Sequence, residues 1–267
     1  MRELERDESR SNGQEPGGAA VPALAVIGRG RAGGSIARTA RAAGLDVRTA
    51  GREDTLEACR GAEVALICVP DGSIADVAAT AAQAVPPLRF VGHTSGATSL
   101  DALAAPAAAG AATFSLHPLQ TLPDGGSDLA GAACAITGST PAAHELAETL
   151  ARTLGMTPFT IAEEDRAAYH AAASMASNYL VALEECAAEL LARIGVDDAR
   201  EVLAPLVLRS AANWADRGAA ALTGPIARGD AETVDRHREA IARVAPELLG
   251  LYDELAERTT AVAAVSA

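Results

Sequence analysis

Short apolar runs alternate with segments of helical spacing between residues 23 and 162. Seven runs predict buried strands: 23–28, 45–50, 63–69, 89–93, 112–117, 132–138 and 157–162. Segments with helical spacing lie between several of them: 35–44, 73–85 and 145–155. Because the strands are apolar throughout and alternate with helices, the pattern predicts an α/β domain whose parallel sheet is covered on both faces.

The pattern changes after Glu163, where the strands stop. Residues 163 to about 195 form one long helical pattern, and three or four further helices follow. Breaks are expected at four places: Gly195, Gly218, the stretch 222–230 and Pro246. We therefore expect a disordered tail over 1–21, an α/β domain over 22–162 and an all-α domain over 163–267.

A glycine-rich turn joins the first strand to the first helix. The stretch VIGRGRAGGSIA places Gly28, Gly30 and Gly33 as G-x-G-x-x-G between a strand and a helix. Gly28 suits a tight turn, Gly30 lets the backbone approach a pyrophosphate, and Gly33 lets the helix pack on the strand. The free N–H groups at the N-terminus of the helix that follows attract phosphate, and Ala32 in this turn is a further candidate contact. This context predicts a Rossmann-like, doubly wound dinucleotide-binding domain.

The residues after the second strand bear on the choice of cofactor. An NAD site usually carries Asp or Glu there, whereas this strand ends in Thr49 and Ala50 and is followed by Arg52. A guanidinium suits a 2′-phosphate, and Arg29 or Arg31 can assist it. We predict NADP in preference to NAD, although Glu53, shifted by one residue, can face a ribose instead.

Other strand ends add candidate cofactor contacts, because ligands of such sheets bind at the carboxyl ends of the strands. Val69, Pro70 and Asp71 follow the third strand, and a plain strand-ending turn is the alternative interpretation. His93 and Thr94 follow the fourth.

Charge and composition restrict the classes of function. The net charge of −13 disfavours a nucleic-acid partner. All 22 basic residues are arginine, so no side chain can form a Schiff base. No apolar run reaches the roughly 20 residues that span a membrane, and the N-terminal residues lack a signal-peptide pattern. With four widely spaced cysteines, the sequence predicts a cytoplasmic protein with reduced thiols.

Six motifs together resemble a bacterial family that joins a Rossmann-like domain to a C-terminal domain of unknown function 2520. They are VIGRGRAGGSIA, CVPD, GHTSGA, SLHPLQT, YHAAASMASNY and LTGPIARGD. More distantly the chain is similar to β-hydroxyacid dehydrogenases, pyrroline-carboxylate reductase, ketopantoate reductase and F420-dependent NADP reductase. The resemblance implies an oxidoreductase whose helical domain, like that of 6-phosphogluconate dehydrogenase, forms a homodimer. The catalytic lysine of the β-hydroxyacid type is missing, although Asn178 stands on the equivalent helix.

Candidate catalytic residues cluster in sequence after residue 163. His170, Ser174 and Asn178 are spaced i, i+4, i+8, which predicts one polar stripe on a helix. His170 suits a general acid near neutral pH, and Tyr169 is a second donor candidate. Each of these residues can instead make an ordinary structural hydrogen bond.

Two strand ends supply further candidates, His117 and Ser95. A metal site would require three distant histidines to converge, and a hydrolase elbow of the form G-x-S-x-G is absent, so neither is predicted.

The polar break LTGPIARGD, residues 222–230, contains candidate substrate-binding residues. Arg228 can bind a carboxylate as a fork, and Thr223 can assist. Asp230 either belongs to this site or only caps the next helix. We expect the loop to border an interdomain cleft.

These features predict an NADP-dependent oxidoreductase that transfers a hydride to or from a small carboxylate-bearing metabolite. A nucleotide-binding regulator or scaffold without turnover is the alternative, motivated by the missing lysine. A flavin or deazaflavin partner in place of a carbonyl substrate also stays open.

Overall fold

The computed structural model describes residues 21–266, so the predicted tail lies outside the described residues except for Val21. One seven-stranded sheet forms the first part of the described chain, and helices form the rest. This confirms the predicted Rossmann-like α/β domain followed by an all-α region.

All seven predicted strands are present. They are β1 Leu24–Ile27, β2 Val47–Ala50, β3 Val64–Ile67, β4 Phe90–His93, β5 Ala112–Leu119, β6 Ala133–Gly138 and β7 Thr157–Thr160. Their order across the sheet is β2-β1-β3-β4-β5-β6-β7. The chain reverses direction across the sheet after β2, so the carboxyl ends of β1 and β3 flank the switch point where ligands bind in such folds.

The sheet differs from the all-parallel prediction at one place, since β6 runs antiparallel to β5. A parallel connection needs a crossover of a dozen or more residues, usually a helix. Residues 120–132 between these strands are rich in Gly, Asp and Pro and contain no helix, so the chain turns back instead. The remaining neighbours pair in parallel.

Helices cover the sheet and continue the chain beyond it. Those of the α/β part are α1 Arg31–Ala42, α2 Thr55–Cys59, α3 Ile74–Ala81, α4 Ala104–Ala108 and α5 Pro141–Thr153. The all-α part contains α6 Arg166–Ser174, α7 Leu180–Arg193, α8 Ala199–Arg217, α9 Ala231–Val244 and α10 Leu249–Ser266. The sequence pattern did not predict α2 and α4, because five residues are too few to show a helical period.

Alternate residues of β1 belong to two separate apolar clusters. Leu24 and Val26 join the cluster that includes Ile36 of α1 and Leu150 of α5. Ala25 and Ile27 join the cluster that includes residues of α2 and α3. Because side chains alternate across a strand, the two clusters lie on opposite faces of the sheet, which explains why the strand is apolar throughout.

The chain divides into two compact units, of which the first ends at Ala173 and the second begins at Ser174. The last strand ends at Thr160, so the predicted boundary at 162 marks the end of the sheet and stays a prediction for the domain boundary. Among residues 21–266, no helix is both long enough and apolar enough to cross a membrane.

Candidate functional site

The glycine-rich turn has a different steric requirement at each of its three motif positions. Gly28 has φ +118°, and a Cβ there would lie 2.1 Å from the carbonyl oxygen of Cys68. A Cβ on Gly33 would lie 1.9 Å from the carbonyl oxygen of Gly28. Both positions therefore require glycine for the close packing of β1, β3 and α1.

Gly30 meets no such obstacle, because a Cβ there would have no heavy atom within 4 Å. It caps the N-terminus of α1, whose first turn has no acidic residue and no side-chain cap. This open space beside uncapped helix N–H groups fits the pyrophosphate of a dinucleotide. Ala32 and the exposed Arg31 lie in the same turn of the helix.

The predicted 2′-phosphate residues do not converge on one another. The Arg52 guanidinium donates to the Ser73 hydroxyl at 3.1 Å and lines a recess with Glu53. Arg29 lies 3.7 Å from Asp54 and lines a separate groove of about 540 Å³ with Arg48. Arg52 remains free of a carboxylate partner among the described residues.

The turn after β3 places Val69, Pro70 and Asp71 at the carboxyl end of a strand next to β1. Val69 is half-buried, whereas Pro70 and Asp71 are exposed. The Asp71 carboxylate favours the charged forms of His93 and His117, and it thereby opposes the lowering of their pKa by burial. Thr94 is half-buried, and its backbone N–H donates to the Ile67 carbonyl at 3.1 Å.

His93 lies beneath the surface rather than on it. Its side chain is 0% exposed, and Nδ1 accepts from the backbone N–H of Ser95 at 3.2 Å. Burial, and then the positive charge of Arg166, lower the pKa of His93 from 6.5 to about 4. The Ser99 backbone acts in the opposite direction and favours the charged imidazole. Nε2 of His93 has no partner of hydrogen-bond geometry among the described residues.

Ser95 has its hydroxyl engaged within its own turn. The hydroxyl accepts from the N–H groups of Ala97 at 3.2 Å and Thr98 at 2.9 Å, and it donates to the Thr98 hydroxyl at 2.9 Å. This hydrogen bonding is typical of a Ser that holds a turn. The shape of the turn matters for the site, because it places Gly96 under two imidazole rings.

His117 and Tyr169 form a short contact in the candidate site, with 2.6 Å between Nδ1 and the phenol oxygen. Burial, and then His170 and Arg166, lower the pKa of His117 from 6.5 to about 4. Burial raises the pKa of Tyr169 to about 12. Both groups are therefore neutral near pH 7, and one of their two protons lies in the hydrogen bond between them. Imidazole nitrogen is a better acceptor than phenol oxygen, so we assign the phenol as donor to Nδ1.

His170 lies next to this pair, 6.0 Å from His117 between ring centroids. A Cβ on Gly96 would lie 2.8 Å from Cδ2 of His170 and 2.9 Å from Nε2 of His117. Gly96 therefore lets both imidazoles approach the turn after β4. The structure therefore brings together three residues predicted from the sequence, His117, Tyr169 and His170. The Ser95 turn, which was also predicted, lies beside them.

Two residues of this cluster were not predicted from the sequence, Arg166 and Glu163. Arg166 is 2% exposed, and its guanidinium lies 2.5 Å from the Glu163 carboxylate. A sequence signal exists, because a cation in the first turn of a helix is unfavourable unless a specific partner offsets it. Glu163 stands three residues earlier at the spacing of such a partner.

The predicted polar stripe is interrupted after Ser174. Residues Met175–Tyr179 form a π-helical turn, in which residue i bonds to i+5 rather than i+4. The four-residue spacing therefore does not keep Asn178 in line with Ser174. Asn178 is exposed and Ser174 is half-buried, and both belong to the second unit.

The loop 222–230, also in the second unit, is a compact turn. Positive φ values at Gly224 (+96°) and Gly229 (+70°) shape it. Asp230 accepts from the Thr233 N–H at 3.1 Å and thereby caps α9, and its hydrogen bonds to Thr233 lower its pKa. Thr223 and Arg228 are exposed, so their side chains are accessible to a ligand.

Among the described residues, no group of three or more His, Cys, Asp or Glu side chains is arranged to bind a metal ion. The three histidines of the cluster do not form such a site. His93 is enclosed, and His117 has its Nδ1 occupied by Tyr169.

Sequence and structure comparisons agree with this architecture. A Rossmann-like domain model matches residues 37–118, and a domain of unknown function (DUF2520) matches residues 132–259. No curated protein sequence gives a significant match.

Several solved structures share the fold. A Bacteroides fragilis protein assigned provisionally as an NADP oxidoreductase has a TM-score of 0.74 at 19% identity, covering 90% of this chain and 98% of its own. A Thermotoga maritima protein has 0.73 at 23%, covering 91% and 99%. Pyrroline carboxylate reductase of Plasmodium falciparum, with NADP bound, has 0.59 at 12%, covering 91% and 98%. At these identities the likeness shows the fold.

Proposed function

Because this chain combines a Rossmann-like domain with a domain of unknown function 2520, we propose that it is an NADP-dependent oxidoreductase. The substrate we infer is a small carboxylate-bearing metabolite. The observation that carries the proposal is the occurrence, at one sheet edge, of an open glycine cradle and a neutral tyrosine–histidine pair. The fold of an NADP-bound reductase supports it.

The glycine turn is the proposed binding site of the cofactor. The N–H groups that open α1 would hold the pyrophosphate over Gly30, and Arg52 would contact the 2′-phosphate. When bound, the nicotinamide supplies or accepts the hydride. Val69 and Pro70, at the switch point between β1 and β3, would pack against the nicotinamide ribose.

The tyrosine–histidine pair is the proposed source of the proton, a role filled by lysine in β-hydroxyacid dehydrogenases. With the phenol donating to Nδ1, His117 carries its own proton on Nε2, which would lie 2.9 Å from a Cβ on Gly96. This N–H can pass its proton to a carbonyl oxygen or imine nitrogen over the Gly96 turn while the Tyr169 hydroxyl passes its proton to Nδ1. The ring then stays neutral, and the resulting tyrosinate regains a proton from solvent. His170 is a second donor beside the same turn.

The substrate carboxylate is assigned to the exposed Arg228, with Thr223 beside it in the same loop. Asp230 has its oxygens committed to Thr233, so we assign it to capping α9 and to holding the loop in shape.

Homodimer formation through the helical unit is part of the proposal. Helices α7, α8 and α10 contain no fully buried side chain among their described residues. Leu206 is 64% exposed, Leu208 70% and Trp214 67%. Apolar exposure on this scale favours a subunit interface.

Calorimetric titration of the protein with NADPH and with NADH tests the cofactor. We expect NADPH to bind more tightly, and Arg52→Ala to weaken NADPH about tenfold to a hundredfold while sparing NADH, because a hydrogen bond to a charged group contributes about 1.5–3 kcal/mol. Arg152→Ala is the control, since Arg152 forms an exposed ion pair with Glu148 on α5.

Absence of binding of both nucleotides would overturn the oxidoreductase proposal. Binding without substrate-dependent NADPH oxidation, across a screen of small keto acids and cyclic imino acids, would favour the regulator or scaffold instead.

A further inference from the structure

Among the described residues, one guanidinium is buried, and it lies where the candidate site meets the sheet. Arg166 is the first residue of α6 and is 2% exposed. A cation at this end of a helix is disfavoured by the helix dipole, and burial of its charge is costly. Such a residue persists only where several acceptors compensate it.

The guanidinium donates to four acceptors on four different segments. Nη2 donates to the Ser115 hydroxyl at 2.7 Å, to the Thr137 hydroxyl at 3.2 Å and to the Glu163 carboxylate at 2.5 Å. Nη1 donates to the Ser95 carbonyl at 3.4 Å. Arg166 therefore joins the turn after β4, strand β5 and strand β6 to the start of α6.

Glu163 extends these connections and neutralises the charge. Its second oxygen accepts from the Leu100 N–H at 3.0 Å, beyond the Ser95 turn. The carboxylate thus holds the far side of that turn, while its other oxygen holds Arg166.

Helix α6 and strand β5 also contact each other at the proposed proton donor. Ser115 and His117 lie two residues apart on β5 and therefore on the same side of the strand. Arg166 and Tyr169 lie three residues apart and therefore on the same side of α6. Arg166 on α6 contacts Ser115 on β5, and Tyr169 on α6 contacts His117 on β5. Both contacts therefore depend on the same alignment of α6 along β5.

We propose that Arg166 is the positioning residue of this site, and that its guanidinium fork holds α6 on β5 in the register in which the Tyr169 hydroxyl meets Nδ1 of His117. The consequence for catalysis rests on the proposed function, whereas the positioning itself does not. The charge of Arg166 acts in the same direction, because it helps to keep His93 and His117 neutral.

Arg166→Lys separates geometry from charge. Lysine keeps the positive charge, but its side chain is shorter and ends in one nitrogen. It therefore cannot place donors both at the Nη2 position that serves Ser115, Thr137 and Glu163 and at the Nη1 position that serves Ser95. Arg152→Lys is the matched control, because Arg152 makes one exposed ion pair with Glu148 on α5. Circular dichroism establishes that each variant folds.

The decisive readout is the ¹⁵N spectrum of the imidazoles, with His117 assigned by comparison with His117→Gln. In the wild-type protein we expect one tautomer of His117, with Nδ1 unprotonated. In Arg166→Lys we expect both tautomers, since Tyr169 no longer holds the ring, and in Arg152→Lys the wild-type pattern. A single unchanged tautomer in Arg166→Lys would overturn the proposal.

Kinetics provides the second readout if the protein oxidises NADPH. Misplacement of a proton donor by about 1 Å costs on the order of a hundredfold in rate, so Arg166→Lys should lower kcat by about that factor while leaving the Kd for NADPH unchanged. An equal loss of NADPH affinity would indicate general disruption and would contradict positioning. If the wild type is inactive, the proposed function fails while the tautomer measurement still decides the role of Arg166.

If Arg166→Lys does not fold, Ser115→Ala replaces it. This variant removes the acceptor at 2.7 Å and leaves the other three in place. A mixture of His117 tautomers in Ser115→Ala would support the proposal, and the wild-type tautomer would overturn it.

Discussion

Individual glycines determine what can approach the carboxyl edge of this sheet. Gly28 and Gly33 contact neighbouring backbone, so their missing side chains serve the packing of the protein itself. A Cβ on Gly30 would contact nothing, so its missing side chain leaves space for a ligand. Substitutions at Gly30 and Gly33 therefore separate stability from ligand binding.

Gly30→Ala should leave stability unchanged and weaken NADPH binding. The added methyl group would meet no protein atom, and φ of −75° is accessible to alanine, so the free energy of unfolding should change by less than about 0.5 kcal/mol. The methyl group would occupy the space proposed for the pyrophosphate, and we expect at least a tenfold higher Kd by calorimetry, about 1.4 kcal/mol.

Two further variants serve as comparisons for Gly30→Ala. Gly250→Ala, in an equally open position on α10, should leave NADPH affinity unchanged and raise stability by no more than about 1 kcal/mol, because alanine favours a helix more than glycine does. Gly33→Ala should lower both stability and affinity, because its Cβ would collide with the Gly28 carbonyl. Unchanged NADPH affinity in Gly30→Ala would place the phosphates elsewhere.

The buried imidazoles of His93 and His117 predict a loss of stability in mild acid. Both have a pKa lowered from 6.5 to about 4, so between these values the unfolded chain binds protons that the folded chain does not. Their contribution is full above pH 6.5 and declines as the pH falls toward 4. Urea unfolding across this range should show the free energy of unfolding decreasing steadily.

A histidine variant assigns the effect. His117→Gln should flatten part of the pH dependence, whereas His237→Gln, which removes an exposed ring in the second unit, should not. An identical slope in wild type and His117→Gln would show that His117 does not titrate as the structure indicates.

At the scale of elements, the segment between β5 and β6 links the two halves of the candidate site. It leaves β5 after Leu119, two residues beyond His117, and then packs against the first turns of α1. The buried Ser35 hydroxyl donates to the Asp124 carbonyl at 3.2 Å and accepts from the Ser127 N–H at 3.1 Å. Gly125 lies beside Gly34, where a Cβ on Gly34 would come within 3.0 Å.

Ser35→Ala should detach this segment from α1 and lower stability. The substitution leaves the half-buried Ser127 N–H without its partner, whereas the Asp124 carbonyl keeps a hydrogen bond from the Ser127 hydroxyl at 3.1 Å, so we expect a cost of about 0.5–1.5 kcal/mol. Thermal and urea unfolding measure the loss, with Ser210→Ala on the exposed surface of α8 as the control. A change no larger than in Ser210→Ala would mean that the segment is held by other contacts.

At the scale of the whole molecule, the two units differ in how they bury apolar side chains. The α/β unit contains two continuous apolar clusters on the faces of its sheet. In the described helical unit only Ile241 and Ala245 are buried apolar residues, while Trp214 and several leucines are exposed. A protein surface of this kind is stabilised by association, which motivates the proposed homodimer.

Charged substitutions on α8 should dissociate that dimer. Leu206→Glu combined with Leu208→Glu places carboxylates where burial would leave them unpaired, so sedimentation should report half the mass of the wild type. Leu56→Glu, at a 41% exposed leucine of α2 in the other unit, should remain dimeric. A monomeric wild-type protein would overturn the proposed homodimer directly.

Local patterns in the sequence determined the seven strands, the long helices and the phosphate-binding turn. Each of these rests on residues close in the chain: apolar runs, helical spacing, and glycines between a strand and a helix. The same reasoning identified His117, Tyr169 and His170 as candidates, because strand ends and helix faces can be assigned locally.

Only the tertiary structure decided which of these candidates meet. The contact of Tyr169 with His117 joins residues 52 positions apart, and no local period encodes it. The structure also showed that His93 is enclosed, that the Ser95 hydroxyl is used within its turn, and that a π-helical turn interrupts the stripe before Asn178. Arg166 escaped the sequence analysis because its partners come from two strands, the turn after β4 and the start of α6. Burial and long-range pairing depend on the packing of the whole domain, which a local pattern does not specify.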